Sequence, residues 1–237
     1  MGLRTSLAHK VRSGRRPVFK IGSGTYIGFM ILLRKRFPLP AGFVQPCLPS
    51  HSPRPPIGGP WLHEIKIDGC RLLAIRDSGG VRLLTRHGTD WTDRFPKVHA
   101  AVSKLHCVSC LIDGEVGAPD DRGIPCFDQL RRRQPALLYA FDLIEIDGVD
   151  IRRNPIEERK RALAKLLRGA RGAGIMFCDH VEGDAMEIFE HACKLGYEGI
   201  VSKRAGSAYK SGRSIDWLKM KNPDSAAVAR EKKIEWR

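Results

Sequence analysis

Trp61-Leu-His-Glu64-Ile-Lys66-Ile-Asp68-Gly69-Cys70-Arg71-Leu-Leu-Ala-Ile-Arg76-Asp77-Ser-Gly-Gly80-Val81-Arg-Leu-Leu-Thr85 is the stretch from which the fold is read. Trp61 to Lys66, Arg71 to Arg76 and Val81 to Thr85 read as three short strands, with Asp77-Ser-Gly-Gly80 as a hairpin turn. Further along, Pro96 to Leu105 reads as a helix, and Cys107 to Val116 as a strand interrupted at Gly114. Leu137 to Ile146 is an apolar strand that ends at the turn signal Asp147-Gly148. Asn154 then reads as the cap of a helix, with Pro155 in its first turn and Glu157 and Glu158 complementing the dipole. Leu163, Leu166 and Leu167 form its apolar stripe, and Gly169 ends it. Ile175 to Val181 reads as a strand, Asp184 to Leu195 as a helix, and Gly199 to Lys203 and Trp217 to Lys221 as strands. Hairpins mixed with helices point to an α+β fold with antiparallel sheet, not a doubly wound parallel one.

The chain has 237 residues, long enough for one large domain or two small ones with a real core. Its 41 Lys and Arg against 26 Asp and Glu give a net charge of +15, which favours polyanionic partners such as nucleic acid. From Met1 to His63 there are ten basic residues and no acidic one, so most of the excess sits in the N-terminal quarter. Residues 1–42 read as a basic, poorly ordered N-terminal extension, and Pro46 to Pro60 as an extended linker or strap. Ile21 to Leu33 is apolar but too short to span a bilayer. No membrane role is expected, and the seven irregularly spaced cysteines suit a reducing compartment.

The chemistry is concentrated in Glu64-Ile65-Lys66-Ile67-Asp68-Gly69. Alternation along a strand puts Glu64, Lys66 and Asp68 on one face. An attacking lysine must be neutral, and desolvation or nearby cations supply the free amine. Asp113-Gly114-Glu115 sets two carboxylates on one strand face, and Glu198 opens Glu198-Gly-Ile-Val-Ser-Lys203-Arg204. Carboxylates with water and phosphate oxygens are the usual coordination of Mg²⁺. Lys219 and Lys221 share one strand face, suited to gripping a phosphate, while Phe141 by itself reads as core packing.

In this order these segments resemble the covalent nucleotidyltransferases, and among them the ligase module of bacterial end-joining DNA ligases. Leu84-Thr-Arg86-His-Gly88-Thr-Asp-Trp91-Thr-Asp-Arg94-Phe95-Pro96, Tyr139-Ala-Phe141, His180-Val-Glu-Gly183 and Ser211-Gly-Arg-Ser-Ile-Asp-Trp-Leu-Lys-Met-Lys221 extend the likeness over about residues 43–223. The resemblance implies an ATP-grasp-like nucleotidyltransferase domain of antiparallel sheets flanked by helices. It implies Lys66 as the residue that becomes lysyl-AMP, with Asp68, Lys219 and Lys221 also in the catalytic set. Glu64 and Ile65 would meet the adenine, Phe141 would stack on it, and Arg71 and Glu115 would hold the ribose and its surroundings. Lys203 and Arg86 would touch phosphate or DNA. Glu198 would bind the metal with Asp113 in support. The implied cofactors are ATP and Mg²⁺, or Mn²⁺ in its place. The implied partners are nicked or broken double-stranded DNA and an OB-fold domain or end-joining protein acting in trans. The implied location is the cytoplasm of a bacterium, at the nucleoid. An RNA ligase or capping-type enzyme is the rival enzymatic reading, and a non-catalytic nucleic-acid-binding remnant is the rival of another class. Two departures stand out. Members of the group usually carry an aromatic residue at the position of Cys70. They also follow the WLKxK strand with an OB-fold domain, whereas here residues 224–237 read only as a short tail, so that domain is expected to be absent.

Overall fold

The computed structural model describes residues 42–170 and 174–235. The extension read over residues 1–42 lies, except for Gly42, outside the described residues. The strands are β1 (Cys47–His51), β2 (Trp61–Ile65), β3 (Cys70–Asp77), β4 (Gly80–Thr85), β5 (Cys110–Pro119), β6 (Pro125–Cys126), β7 (Leu137–Ile146), β8 (Val149–Asp150), β9 (Ile175–Phe177), β10 (Gly199–Arg204) and β11 (Gly212–Lys221). The helices are α1 (Pro96–Ser103), α2 (Phe127–Arg131), α3 (Ile156–Leu166), α4 (Ala185–Lys194) and α5 (Ala226–Glu235).

The strands form two sheets. One runs β1-β11-β10-β2; the other runs β4-β3-β5-β7-β8, with β6 on β5 and β9 on β7. Pairing is antiparallel except where β1 meets β11 and β7 meets β9. β3 and β4 make the expected hairpin, with Asp77 opposite Gly80, whose φ of 109° suits glycine at the turn. β3 shows why its sequence is a continuous apolar run. Leu72 and Ala74 face a core shared with Val98, Ala101 and Val102 of α1 and with Leu163 of α3. Leu73 and Ile75 face a second core with Leu62, Phe141, Tyr209 and Trp217, which brings together residues of both sheets. A strand buried on both faces has no polar side to alternate with. Ala192 of α4 packs on Ile200 and Met220 of the four-stranded sheet in a third, smaller cluster.

Several boundaries differ from the sequence reading, each for a local reason. β5 begins at Cys110 and runs on to Pro119, and its ladder shifts register between Asp113 and Gly114. A Cβ at Gly114 would come within 2.7 Å of Leu138 and 2.8 Å of the Tyr139 carbonyl, so the bulge needs glycine. Asn154 is not the cap of α3. Pro155 takes that position without a side-chain hydrogen bond, and the Asn154 amide donates to Glu158 instead. Gly169 lies beyond the actual C-cap, Leu167. Asp184 does cap α4, accepting from the backbone amides of Met186 and Glu187. β9 stops at Phe177, four residues short of the expected end. Inside the segment read as a linker lies β1, and inside the segment read as a tail lies α5.

Candidate active site

A small cavity, about 70 Å³ in volume, opens between the two sheets. Glu64, Ile65, Lys66, Arg71, Glu115, Phe141 and Lys203, seven of the residues singled out in the sequence, line it together with Pro49, Ile67, Val201 and Trp217. β2 ends at Ile65, so Lys66 sits where the strand gives way to a loop at the cavity mouth. The loop is held tight at Gly69, where a Cβ would stand 2.0 Å from the Val116 carbonyl oxygen. The backbone amide of Lys66 donates to the Gly199 carbonyl. Gly199 has a φ of 141°, and a Cβ there would lie 2.0 Å from the Met220 oxygen. This bend lets Glu198, just before β10, turn toward Lys66 while Lys203 within β10 also reaches the cavity.

Lys66 donates to Glu198 at 2.7 Å, with the lysine side chain 20% exposed and the carboxylate 6%. Burial raises the Glu198 carboxyl above its ordinary range, and Lys66 opposes the rise. Burial likewise pushes Glu115 up to about 7, against the pull of Lys66 and Arg71 and with the added push of Glu198 and Asp113. Lys219 is lowered by burial and by the like charges of Lys221 and Lys66. These lysines therefore form one cationic group. At the inner end, burial alone would raise Glu64, but Lys160 and Lys203 outweigh it and hold the carboxyl below its usual range. Phe141 and Trp217 meet edge to face at 6.1 Å, and the buried Trp217 indole N–H has no hydrogen-bond partner among the described residues.

Four expected residues lie elsewhere or do something else. Asp113 has no exposure, and both its oxygens are taken: Arg71 donates to each, and the Tyr209 hydroxyl donates to one at 2.6 Å. It fixes Arg71 and is not placed as a metal ligand. Lys203 is 1% exposed and bonds Glu64 within the cavity lining, lying over the Phe141 and Trp217 rings. Arg86 is exposed on the turn after β4, where it donates to the neighbouring His87, and does not line the cavity. Asp68 leaves the Glu64–Lys66 face because the strand has ended. It accepts from the Phe127 amide and pairs with Arg230 of α5. Glu231 of α5 pairs with Lys221. The sequence reading missed Pro49, Lys160, Tyr209 and Arg230. Only Lys160 left a signal: Arg159 and Lys160 fall between Ile156 and Leu163 on the buried side of α3, where an apolar residue is the ordinary choice.

Two sheets that clasp an aromatic-walled cleft, with cations gathered around one lysine at its mouth, suit a domain that handles the phosphates of a nucleotide. Comparison with known proteins fixes the family. Residues 55–221 match the family described as ATP dependent DNA ligase domain, and the chain belongs to it. It is 40% identical over 190 residues to the multifunctional non-homologous end joining protein LigD of Pseudomonas aeruginosa, covering 78% of this chain and 22% of that protein. With the protein of the same name from Mycolicibacterium smegmatis the identity is 33% over 165 residues, 68% of this chain and 21% of the other. The chain thus spans about a fifth of the length of these relatives. Among solved structures, mycobacterial DNA ligase D complexed with ATP and MES superposes with a TM-score of 0.66 at 29% identity, covering 74% of this chain and 59% of that one. The ligase domain of LigD from M. tuberculosis gives a TM-score of 0.63 at 29% identity, covering 74% and 60%. These likenesses bear out the α+β nucleotidyltransferase fold read from the sequence.

Proposed function

We propose that this chain is the adenylating core of a DNA ligase, and that Lys66 carries the AMP. The observation that supports it most directly is the position of Lys66: at the mouth of the cleft, bonded to Glu198, with Lys219 close enough to feel its charge. In the first step the Lys66 amine attacks the α-phosphorus of ATP in line. An N–P bond forms, the bond to the bridging oxygen breaks, and pyrophosphate leaves. The Lys66 amine must be free of its proton to attack, and its bond to Glu198 orients it at the cleft mouth. Lys219 and Lys221 neutralise the charge that builds on the α-phosphate. Phe141 and Glu64 receive the base, and Arg71, fixed by Asp113 and Tyr209, meets the sugar side with Glu115. AMP then passes from Lys66 to the 5′-phosphate at a nick, and the 3′-hydroxyl displaces it. All three steps rest on positioning and charge neutralisation.

No cluster of three or more His, Cys, Asp or Glu suited to a metal is present among the described residues. That fits Mg²⁺, or Mn²⁺ in its place, because such ions are commonly held by one or two carboxylates with substrate phosphates and water. Glu198 is the carboxylate that would hold it, and the ion would supply further neutralisation of the phosphates. The substrate is nicked or broken duplex DNA, worked on at the bacterial nucleoid together with an OB-fold domain or end-joining protein. No helix among the described residues is long and apolar enough to cross a membrane.

Intact-mass measurement after incubation with ATP and Mg²⁺ tests the reading. The protein should gain the mass of one AMP in acid-labile linkage, and Lys66→Ala should abolish the gain. An undiminished adduct in that variant would overturn the assignment.

A further inference from the structure

A buried triad of charges runs from the cavity lining, at Glu64 and Lys203, back to Lys160 of α3. Glu64 is 3% exposed, Lys160 2% and Lys203 1%. Lys203 grips one Glu64 oxygen at 2.7 Å from within the cavity lining. Lys160 grips the other at 2.7 Å from α3, donates also to the Cys178 carbonyl at 2.8 Å, and lies over the Phe177 ring. Lys160 does not line the cavity, so it touches Glu64 and not an occupant. Taking two ammonium groups and one carboxylate out of water is a poor way to gain stability, since a well-packed apolar trio commonly does as well or better. What the arrangement secures is one protonation state and one direction for the Glu64 carboxylate.

We propose that Lys160 is a positioning residue for purine selection: it holds Glu64 as a fixed carboxylate that accepts from the 6-amino group of an adenine nucleotide and rejects a 6-oxo purine. This rests on the reading of the cleft as a nucleotide site. An ionised carboxylate only accepts hydrogen bonds. With one lone pair of each oxygen given to a lysine, any that remain for an occupant of the cavity suit a donor. The exocyclic amine of adenine is a donor; the exocyclic oxygen of guanine would set lone pair against lone pair. A protonated carboxyl could donate to that oxygen and the distinction would fade. Two lysines, one on each oxygen, outweigh the burial that favours protonation. With Lys160 gone, one oxygen is freed to turn or to take a proton.

The experiment compares labelled adduct formation from ATP and from GTP by the full chain, over a range of nucleotide concentrations, for wild type and three variants. Wild type should strongly prefer ATP. Lys160→Met should lower the ATP-over-GTP ratio about tenfold or more. Lys160→Arg, which keeps the cation, should restore most of the preference. Glu64→Gln presents both a donor and an acceptor while leaving Lys160 a partner. It should also lose the preference, and it decides the matter if Lys160→Met does not fold. A structural role alone would lower both nucleotides in step, and that result, or an unchanged ratio in Glu64→Gln, overturns the proposal. Absence of any adduct from wild type would bring down the nucleotide reading itself, a separate and visible failure.

Discussion

Glu231→Gln should speed the first step of the proposed reaction, an unusual direction for a substitution beside a lysine assigned there to the phosphate. Lys221 donates to both oxygens of Glu231, and those bonds with the lysine charge hold the Glu231 carboxyl below its ordinary range. An α-phosphate that needs Lys221 must therefore take it from a competing anion. The size of the effect follows from exposure. The Lys221 side chain is 17% exposed, but that of Glu231 is 55% exposed, so water screens the pair. Such pairs contribute at most about 0.3–1 kcal/mol. Removing the charge should then raise the adduct rate about two- to fivefold at sub-saturating ATP. The assay is single-turnover formation of labelled lysyl-AMP, run at low and high salt. The gain should shrink with salt, because screening already weakens the competitor. A Gln variant that is slower than wild type, or unchanged at low salt, would refute the idea that Glu231 competes with phosphate for Lys221.

Three further outcomes follow from the geometry. Lys219→Ala should slow adduct formation about 10²–10³-fold, as loss of a preorganised charge contact does, with the circular-dichroism spectrum unchanged. Glu115→Gln should matter for stability in a pH-dependent way. The folded carboxyl is raised to about 7 by burial, so wild type loses stability as pH climbs from the ordinary carboxylate range through 7. The variant lacks that loss, and its melting temperature relative to wild type should rise between pH 5 and pH 8; a constant difference would contradict the raised value. Gly199→Ala should destabilise the fold by about 1–3 kcal/mol or more, since the φ of 141° disfavours any side chain and the new Cβ would press on the Met220 oxygen. Denaturant unfolding reads that directly, and a loss under 0.5 kcal/mol would be inconsistent with the close approach.

What the sequence could show depended on how far apart the cooperating residues lie along the chain. Glu64 and Lys66 are two apart on one short segment, and both reach the same cavity as the strand period requires. At Gly199 the chain bends, and Glu198 and Lys203, which an ideal strand would face oppositely, reach one site. The period failed two residues later, at Asp68, because the strand ends at Ile65 and Asp68 is taken by an arginine 162 residues away. Asp113 is engaged in a related way. Its spacing from Glu115 suggested a pair of like function, but the register shift beside Gly114 and Tyr209, 96 residues on, commit it to holding Arg71. Lys160 also stands 96 residues from the carboxylate it serves. Spacing along a strand reports which side chains face the substrate. It carries nothing about the partners that hold those side chains, because these come from other elements and are chosen by tertiary register. Yet such partners decide whether a carboxylate becomes a ligand, a base reader or a clamp. Asp113 and Glu64 carry the same carboxylate and differ in what holds it. The distinction lies wholly in Arg71 and Tyr209 for the one, and in Lys160 and Lys203 for the other.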